Sequence, residues 1–404
     1  MLNGIRVLDL TQEPGFLAGK ILAEIGADVI KIEPPGGDRE ARRGPYLGDV
    51  ANPERSLPWL ALNTSKRGIT LELRSRQGAD LFKRLVRSAD VVLETFAPGV
   101  MEELGLDYPR LQAENPGLVH CALTPFGQTG PYAHYRAHDL TVVALGGNAL
   151  MTGPPDRPPV RCTLPTSYFH GSAEAAVGTA MALYARENTG RGQFVDVSMH
   201  EVQLSTLVTG AGGYALSGRL GRRTGPMLGR TREIWKAKDG YVSFGLRSGM
   251  ARIPNLIATV EYMAENGMAP EWLRKYDWSS YNHNTVTPEE IQRLEEAFGV
   301  FFATKTMREL YEAALERRIM LAPCNNAREI LDQPQLRHRE VFVTLEYPEF
   351  GLSIEHPDAF AKSNTNKIGI RQRAPRIGEH NVEVYREIGV AGAELASLAR
   401  EGVV

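Results

Sequence analysis

The sequence predicts an α/β protein built on a mostly parallel sheet. Short β-rich runs alternate with helical segments along the first 200 residues, and the connections between them are short, as in βαβ units. With 404 residues, of which 43% are hydrophobic, the chain can bury a sizeable core. Because this length exceeds one minimal domain, we expect two globular units, or one large unit with an insertion.

The first βαβ unit is predicted near the start of the chain. Residues 5–10 form a short β-rich run, and residues 18–25 combine helical spacing with small side chains. A second strand is expected at 28–33, where the Pro-Pro-Gly-Gly sequence at 34–37 ends it.

Further strands and helices continue the alternation. Strands are predicted at 68–73, 89–94 and 118–123, and an amphipathic helix at 77–88 separates the first two. A helix of small and apolar residues is predicted at 174–186, and a strand at 194–199 then returns the chain to the sheet.

The second half of the chain predicts a smaller domain. A Gly-, Arg- and Thr-rich stretch between about 210 and 230 suggests a linker, and a strand at 240–244 and several helices come after it. The tail contains two Pro-containing turns, at 347–348 and 356–357, and a helical stretch at 382–400. The expected domains are residues 1–210, 226–325 and a C-terminal segment, 330–404, that returns to the first.

Composition excludes several classes of partner. Lys plus Arg is 46 against 48 for Asp plus Glu, so the net charge of −2 offers no field for nucleic acid. A mean hydropathy of −0.26, interrupted apolar runs and a start without a secretion-signal layout predict a soluble, cytoplasmic protein that does not enter a membrane. Three distant cysteines favour neither disulfides nor a metal site.

Common catalytic motifs are missing from the sequence. There is no G-x-x-x-x-G-K-[ST] loop, no H-E-x-x-H and no G-x-S-x-G, and Gly36-Gly37 does not complete G-x-G-x-x-G. Among the histidines only His134 and His138 have metal-ligand spacing, and their surroundings suggest a loop. We therefore predict no metal site.

His138 is a candidate acid or base because Asp139 follows it directly. A carboxylate beside an imidazole can set its tautomer and pKa for proton transfer. The alternative is that Asp139 caps the following helix and His138 only packs. The sequence leaves both interpretations open.

Six segments in a fixed order resemble the family III CoA-transferases, the group that contains formyl-CoA:oxalate and carnitine CoA-transferases, with α-methylacyl-CoA racemase as a side branch. The similarity covers nearly the whole chain. The segments are LNGIRVLDLT at 2–11, GADVIKIE at 26–33, NTSKRGITL at 63–71, FGQTGP at 126–131, TGRGQ at 189–193 and APRIGEH at 374–380.

This resemblance implies a Rossmann-like large domain made from both ends of the chain, a smaller inserted domain, and two subunits interlocked like links. It also implies that the coenzyme A thioester is a substrate, with no tightly bound cofactor. In such enzymes an Asp carboxylate attacks the acyl-CoA thioester, and anhydride and enzyme-CoA intermediates carry CoA to a second acid.

The chain departs from the family at the nucleophile. The family Asp lies in a P-x-x-D segment 21 residues before the Thr of T-G-R-G-Q, and counting back from Thr189 reaches Tyr168. Gly178 and residues 182–186 fix this register, so Glu174 cannot replace the Asp by a shifted alignment. Because a phenol has a pKa near about 10 and forms a stable ester, Tyr168 cannot inherit the role of the Asp.

The segments that bind CoA in the family are partly changed. Thr95 replaces an Asn, and Pro34 and Glu103 replace basic residues. Guanidinium groups that can meet phosphate and an aromatic ring that can stack on adenine are retained. The residues expected to contact CoA are Arg74, Phe96 and Arg136.

The sequence therefore predicts a CoA-transferase subunit without its own nucleophile, which moves CoA from an acyl-CoA such as succinyl-CoA to a carboxylic acid such as benzylsuccinate. Its expected partner is a homologous subunit that carries the Asp. One alternative is a racemase-type isomerase, because His138 matches the His of that branch, although the second base of the branch falls at Tyr168. A homodimeric transferase with an unfamiliar nucleophile and a non-enzymatic acyl-CoA-binding protein also remain open.

Overall fold

The computed structural model describes residues 1–38 and 42–404. These residues divide into two compact units. The first comprises 1–149, 161–220 and 337–404, and the second comprises 150–160 and 221–336. The second unit overlaps the segment 226–325 that was expected to form the small domain.

A parallel sheet forms the centre of the first unit, which confirms the predicted α/β class. Within the described residues its six strands follow the order β3-β2-β1-β4-β5-β6, the order of doubly wound Rossmann folds. Order reverses between β1 and β4, so this is the switch point of the sheet. The strands are β1 (Arg6–Leu10), β2 (Asp28–Glu33), β3 (Arg67–Thr70), β4 (Val91–Glu94), β5 (Val119–Thr124) and β6 (Phe194–Ser198).

Helices cover both faces of this sheet, which explains why its strands are almost continuously apolar. Leu8 belongs to the core on one face, whereas its neighbour Val7 belongs to the core on the other. The helices of this region are α1 (Phe16–Glu24), α2 (Leu57–Leu62), α3 (Arg76–Val86), α4 (Val100–Glu103), α5 (Tyr108–Glu114), α6 (Asp139–Leu145), α7 (Asn148–Met151), α8 (Thr166–Thr189), α9 (Met199–Thr206) and α10 (Val208–Ser217). Single 3-10 turns lie at Glu13–Gly15, Leu47–Asp49 and Pro53–Arg55.

Helix α8 is longer than the segment 174–186 predicted for it. Small residues let it pack closely on the sheet, since a Cβ at Gly171 would lie 3.0 Å from Met199 Cγ and 3.1 Å from Leu123 Cδ1. It ends at Gly190, which adopts φ +66°. Its start at Thr166 puts Tyr168 in the first turn.

The linker expected between about 210 and 230 is wrong in its first part. Residues 208–217 are the helix α10, which ends where the Gly218 N–H donates to the Tyr214 carbonyl at 2.7 Å. Glycine has a low helix propensity, so the glycines of this stretch suggested a linker. The segment is nevertheless helical over its whole length. The extended linker begins only at Gly218.

The second unit has its own aromatic core. Trp235, Phe244 and Phe298 are almost fully buried there. Strands β9 to β11 form an antiparallel sheet in the order β11-β10-β9. The elements are β7 (Met227–Leu228), β8 (Thr231–Arg232), β9 (Ile234–Lys236), β10 (Tyr241–Phe244), α11 (Ile253–Glu265), α12 (Glu271–Arg274), α13 (Pro288–Thr304), α14 (Met307–Arg317), β11 (Leu321–Pro323), α15 (Ala327–Leu331) and α16 (Pro334–His338), the last of which extends into the first unit.

The C-terminal segment packs against strand β3. The Tyr385 hydroxyl donates to the Thr70 carbonyl at 2.6 Å, and the Glu72 N–H donates to the Val403 carbonyl at 2.8 Å. The turn predicted at 347–348 leads from β12 (Phe342–Tyr347) to β13 (Leu352–Pro357) in an antiparallel hairpin. The turn predicted at 356–357 is wrong, because these residues end β13 and pair with the start of β12. The single helical stretch predicted at 382–400 is instead α17 (Asn381–Glu387) and α18 (Ala393–Arg400), because Gly389 and Gly392 between them adopt positive φ.

Across 1–38 and 42–404, no helix is both long and apolar enough to span a membrane.

Candidate active site

Two cavities open near the carboxyl ends of the strands at the switch point, where ligands bind in doubly wound folds. The Arg74 cavity has a volume of ≈ 390 Å³ and is lined by the ends of β1, β2 and β3 and by the start of α4. The Tyr168 cavity has a volume of ≈ 350 Å³ and is lined by the loop after β1, by residues before α6 and by the first turn of α8. Gln12 lines both, so the cavities adjoin.

The Arg74 cavity joins an aromatic ring to a cationic group. The ring of Phe96 is half-buried, and the guanidinium of Arg74 is exposed. A neighbouring cavity of ≈ 620 Å³ shares Arg74 and adds Arg76 and Lys83, with Glu103 also on its wall. The fold thus collects three cations along α3, with Lys83 in its last turn and Asp80 on the same wall. Such an arrangement suits phosphate groups next to a stacked base.

The Tyr168 cavity contains polar groups from distant parts of the chain. Glu13 lies in the turn after β1, and its carboxylate accepts a hydrogen bond from Arg43 Nε at 2.7 Å. His138 precedes α6 as its N-cap residue and has an exposed side chain. Glu13 is the acidic residue on the described wall of this cavity.

Tyr168 is held by a reciprocal contact between the starts of α6 and α8. The backbone N–H of Asp139 donates to the Tyr168 hydroxyl at 3.2 Å. In return the Asp139 carboxylate accepts from the Ser167 N–H at 2.9 Å and from the Ser167 hydroxyl at 2.8 Å. The buried Asp139 carboxylate therefore fixes the first turn of α8. The prediction that Asp139 caps the helix following it is wrong, because the N-cap residue of α6 is the exposed His138 and the carboxylate binds Ser167 instead.

The phenol of Tyr168 is neutral at physiological pH. Burial raises its pKa above the usual range, and the nearby Glu13 carboxylate raises it further, which outweighs the opposing effects of the Asp139 N–H and Arg43. A neutral phenol that already accepts a hydrogen bond is a poor nucleophile. Among the described residues, the hydrogen bond to its hydroxyl comes from the Asp139 N–H, which is a donor and cannot act as an activating base.

A buried ion cluster lies beside the Arg74 cavity, whose wall includes Lys31. Asp9 Oδ2 accepts from Lys66 Nζ at 2.8 Å, and Asp9 Oδ1 lies 3.4 Å from Lys31 Nζ. Burial alone would raise the pKa of Asp9, but the two lysines reverse this and hold it at about 2. Burial lowers the pKa of Lys66 to about 8, although Asp9 opposes the change. Lys31 also donates to the Thr11 carbonyl, so the cluster positions the loop that carries Gln12.

The structure brings the predicted residues together in two groups. Arg74 and Phe96 line one cavity, and Tyr168 and His138 line the other. Arg136 lines neither cavity. Its exposed side chain lies two residues before His138 in the chain. Sequence reasoning missed residues that now lie on these walls, namely Gln12, Glu13, Arg43, Arg76 and Lys83. The helical spacing of Arg76 and Lys83 could have indicated these two residues. Gln12, Glu13 and Arg43 come together through loops, for which the sequence gives no such signal.

Among the described residues, no group of three or more His, Cys, Asp or Glu side chains could hold a metal ion.

A Rossmann-type sheet with cavities at its switch point that carry a cationic cluster and an aromatic ring is an arrangement that suits a phosphorylated cofactor or substrate. The family model of CoA-transferase family III matches residues 2–381. The chain belongs to this family, and the resemblance drawn from its six segments is confirmed. Family III enzymes use CoA thioesters as substrates, and the homologues indicate CoA-transferase activity.

Relatives and solved structures agree with this assignment. The chain is 34% identical over 402 residues to the BbsE subunit of succinyl-CoA:(R)-benzylsuccinate CoA-transferase from Thauera aromatica, covering 99% of this chain and 97% of that protein. It is 31% identical to succinyl-CoA–D-citramalate CoA-transferase from Chloroflexus aurantiacus, over 100% and 98% of the two chains. The crystal structure of a CaiB/BaiF family protein from Brucella suis superposes with a TM-score of 0.84 at 26% identity, covering 96% of this chain and 99% of that one.

Proposed function

We propose that this chain is the non-nucleophilic subunit of a heteromeric family III CoA-transferase, and that a homologous subunit supplies the catalytic Asp. The complex moves CoA from an acyl-CoA such as succinyl-CoA to a carboxylic acid such as benzylsuccinate. The similarity to the BbsE subunit supports this choice of substrates.

Tyr168 is the observation that carries the proposal. It occupies the position expected for the family nucleophile, it is neutral, and its hydroxyl accepts the Asp139 N–H. The Asp139 carboxylate is committed to Ser167, and Glu13 is paired with Arg43. The two carboxylates described close to Tyr168 thus have structural partners, which supports a nucleophile supplied by another chain.

The proposal assigns CoA binding to this chain as well. Arg74, Arg76 and Lys83 would meet the phosphate groups, and Phe96 would stack on the adenine. Arg136 would join them only by contacting an extended part of the ligand from the surface. The CoA thioester enters as a substrate, and no tightly bound cofactor is part of the proposal.

The reaction requires a carboxylate that accepts and returns an acyl group. The partner's carboxylate oxygen attacks the carbonyl carbon of the thioester, and the C–S bond breaks. CoA departs as a thiolate, and a mixed anhydride between the acyl group and the partner's carboxylate remains. The thiolate then attacks the anhydride carbonyl that belongs to the partner's carboxylate, which gives an enzyme-CoA thioester and releases the first acid. The second acid attacks this thioester to form a new anhydride and CoA thiolate, and the thiolate then attacks the carbonyl of the second acid to give the new acyl-CoA and the free carboxylate. The residues of this chain hold the phosphates, position the thioester and keep the loop after β1 in place.

An interlocked dimer and the domain division belong to the same proposal. Residues 1–210 and 330–404 would form the large domain and 226–325 the small one, and the two compact units support this division. Large apolar side chains remain exposed on α8 and α10, as a partner surface requires. They are Val177, Met181, Tyr184, Tyr214 and Leu216.

Reconstitution tests the proposed function. The chain is purified alone and together with a homologous chain that carries Asp in the P-x-x-D segment, and transfer of CoA from succinyl-CoA to benzylsuccinate is followed by chromatography. We expect activity only in the complex, with Tyr168→Phe changing the rate less than about twofold. If the isolated chain transfers CoA and Tyr168→Phe abolishes that transfer, Tyr168 is catalytic and the proposal fails.

A further inference from the structure

A third cavity lies on the other side of α4 from the Arg74 cavity. This His120 cavity has a volume of ≈ 310 Å³ and is lined by the end of β4, the first residues of β5 and β6, and the starts of α4 and α5. None of the CoA-binding or nucleophile positions described above lines it. Its wall consists of Glu94, Gly99, Met101, Glu102, Asp107, Tyr108, Pro109, His120, Gln128 and Phe194.

Buried polar groups in this cavity have no hydrogen-bond partner in the part of the chain that the structure describes. His120 is 1% exposed, and neither of its ring nitrogens is hydrogen-bonded. Its Nε2 lies 4.0 Å from Glu94 Oε1, which is too far for a hydrogen bond. The side-chain nitrogen of Gln128 is also unpartnered, and rotation of its amide can present the oxygen instead. Unsatisfied buried groups are costly, so they indicate an occupant.

The wall of the cavity carries the carboxyl groups of Glu94, Glu102 and Asp107, and the Glu94 carboxyl lies buried at its floor. Glu94 is 4% exposed, and one of its carboxylate oxygens accepts the Phe96 N–H at 2.5 Å. No lysine or arginine is among the described residues that line the cavity. Burial raises the pKa of Glu94 to about 8, and the charge of Asp196 raises it further, while the Phe96 N–H opposes both. An enclosed carboxyl without a counter-charge favours a cationic ligand.

Aromatic rings surround the same space. The centroids of His120 and Phe194 are 5.2 Å apart, and that of Tyr108 lies 5.8 Å from Phe194 and 6.2 Å from His120. Rings beside carboxylates are the usual surroundings of bound organic cations. A planar guanidinium can stack on such rings while it donates to Glu94 Oε1 and to the unprotonated nitrogen of His120.

From this geometry we propose that the His120 cavity binds a guanidinium group, an activity independent of the CoA-transferase function. The group comes either from a free small molecule or from an arginine side chain of a second chain. Metal ions do not suit the cavity, since the described residues contain no cluster of three metal-ligating side chains. Anions do not suit it either, because its wall is acidic.

Ethylguanidinium is the direct probe, and ethylurea is its neutral isostere. Isothermal titration calorimetry on the full chain should show binding of ethylguanidinium and none of ethylurea. Glu94→Gln keeps the shape of the side chain and should weaken binding at least about tenfold, because it removes the charge. Glu114→Gln is the matched control: it removes a carboxylate on α5 outside the cavity and should leave the affinity unchanged within about twofold.

Binding should also release a proton from Glu94, since a cation favours its carboxylate form. The affinity of the chain for ethylguanidinium should therefore rise at least about fivefold from pH 6 to pH 8.5. His120 is neutral across this range because burial lowers its pKa to about 4. The other titratable or charged groups around Glu94 are Asp196 on β6, Glu102 on α4, Tyr108 on α5, and Asp107, which is paired with Arg110.

A second measurement separates the two sources of the group. If an arginine of a second chain fills the cavity, ethylguanidinium will not bind the assembled oligomer, and Glu94→Gln, but not Glu114→Gln, will weaken the oligomer in sedimentation. If a free molecule is the ligand, the oligomer will bind ethylguanidinium and Glu94→Gln will not change the assembly. Absence of both binding and a Glu94-dependent assembly, or equal binding of ethylurea, overturns the proposal. Neither result depends on CoA transfer.

Discussion

A phenol at position 168 changes what this active site can do, because it removes the carboxylate but keeps the packing. Tyr168 remains buried in the first turn of α8 and accepts the Asp139 N–H. The cations along α3 were only partly foreseen: Pro34 and Glu103 suggested a weakened phosphate site, but Arg76 and Lys83 line the cavity beside Arg74. The residue pattern thus favours a chain that retains ligand contacts and lacks its own nucleophile.

Arg74 provides the residue-scale test of CoA binding. Arg74→Ala should weaken the affinity of this chain for CoA by about 1.5–3 kcal/mol, the contribution of one charged hydrogen bond. Arg87→Ala is the matched control, since Arg87 follows the other end of α3 and pairs with Glu114. Equilibrium dialysis with CoA measures both. Equal affinities of the Arg74→Ala and wild-type chains would place the phosphates elsewhere.

The buried Asp9 cluster predicts a pH dependence of stability. The pKa of Asp9 is about 2 in the folded chain, below the usual value of 3.8, so folding is favoured by an ionised Asp9. This stability is fully present above about pH 4 and is lost as the pH falls through about 2. Asp9→Asn should cost about 3–5 kcal/mol at pH 7, because it leaves Lys66 buried without its counter-charge.

Urea unfolding followed by circular dichroism measures both effects. Asp156→Asn, which changes an exposed carboxylate, serves as the control and should alter the free energy of unfolding by less than about 0.5 kcal/mol. A similar free energy for the Asp9 and Asp156 variants would show that the cluster is not a stabilising unit.

At the scale of elements, the contact between the starts of α6 and α8 holds the Tyr168 cavity in shape. Asp139→Ala removes the acceptor of both Ser167 hydrogen bonds and should lower the free energy of unfolding by about 1.5–3 kcal/mol. Ser167→Ala removes only the hydroxyl and should cost about 0.5–1.5 kcal/mol. Chemical denaturation of the two variants gives the comparison, and a smaller loss for Asp139→Ala than for Ser167→Ala would refute the assigned contact.

Elements with strong local patterns were predictable from the sequence. The strands of the parallel sheet were foreseen because buried parallel strands are continuously apolar, and α3 because its polar and apolar faces alternate with helical period. The β12–β13 hairpin and the helix α10 were missed. Proline drew attention to the turn of the hairpin rather than its strands, and glycine obscured α10.

Site residues could be predicted only where a sequence motif marked their positions. Tyr168 followed from the family spacing between the nucleophile and the segment that starts at Thr189, and Arg74 and Phe96 followed from the resemblance to the CoA-binding segments of the family. Glu13 and Arg43 meet 30 residues apart through loops, and no periodicity indicates such a contact. The unpartnered nitrogens of His120 are a property of the packed interior, which no sequence pattern reveals.

For the whole molecule, the exposed apolar side chains of α8 and α10 predict assembly with a second chain. Met181 is 67% exposed, and Met181→Glu should weaken the oligomer by at least about tenfold in sedimentation, since it places a charge in an apolar interface. Leu315→Glu, on the second unit with 65% exposure, is the matched control and should leave assembly unchanged. If both variants behave alike, the surface of α8 is not the interface.

The most direct test of the central claim is to locate the covalent intermediate. The complex of this chain with an Asp-bearing homologue is mixed with succinyl-CoA, the enzyme-CoA thioester is reduced with borohydride, and both chains are digested and analysed by mass spectrometry. The account predicts a reduced Asp in the partner and unchanged peptides throughout this chain. A modified residue in this chain, at Tyr168 or Glu13 above all, would contradict it.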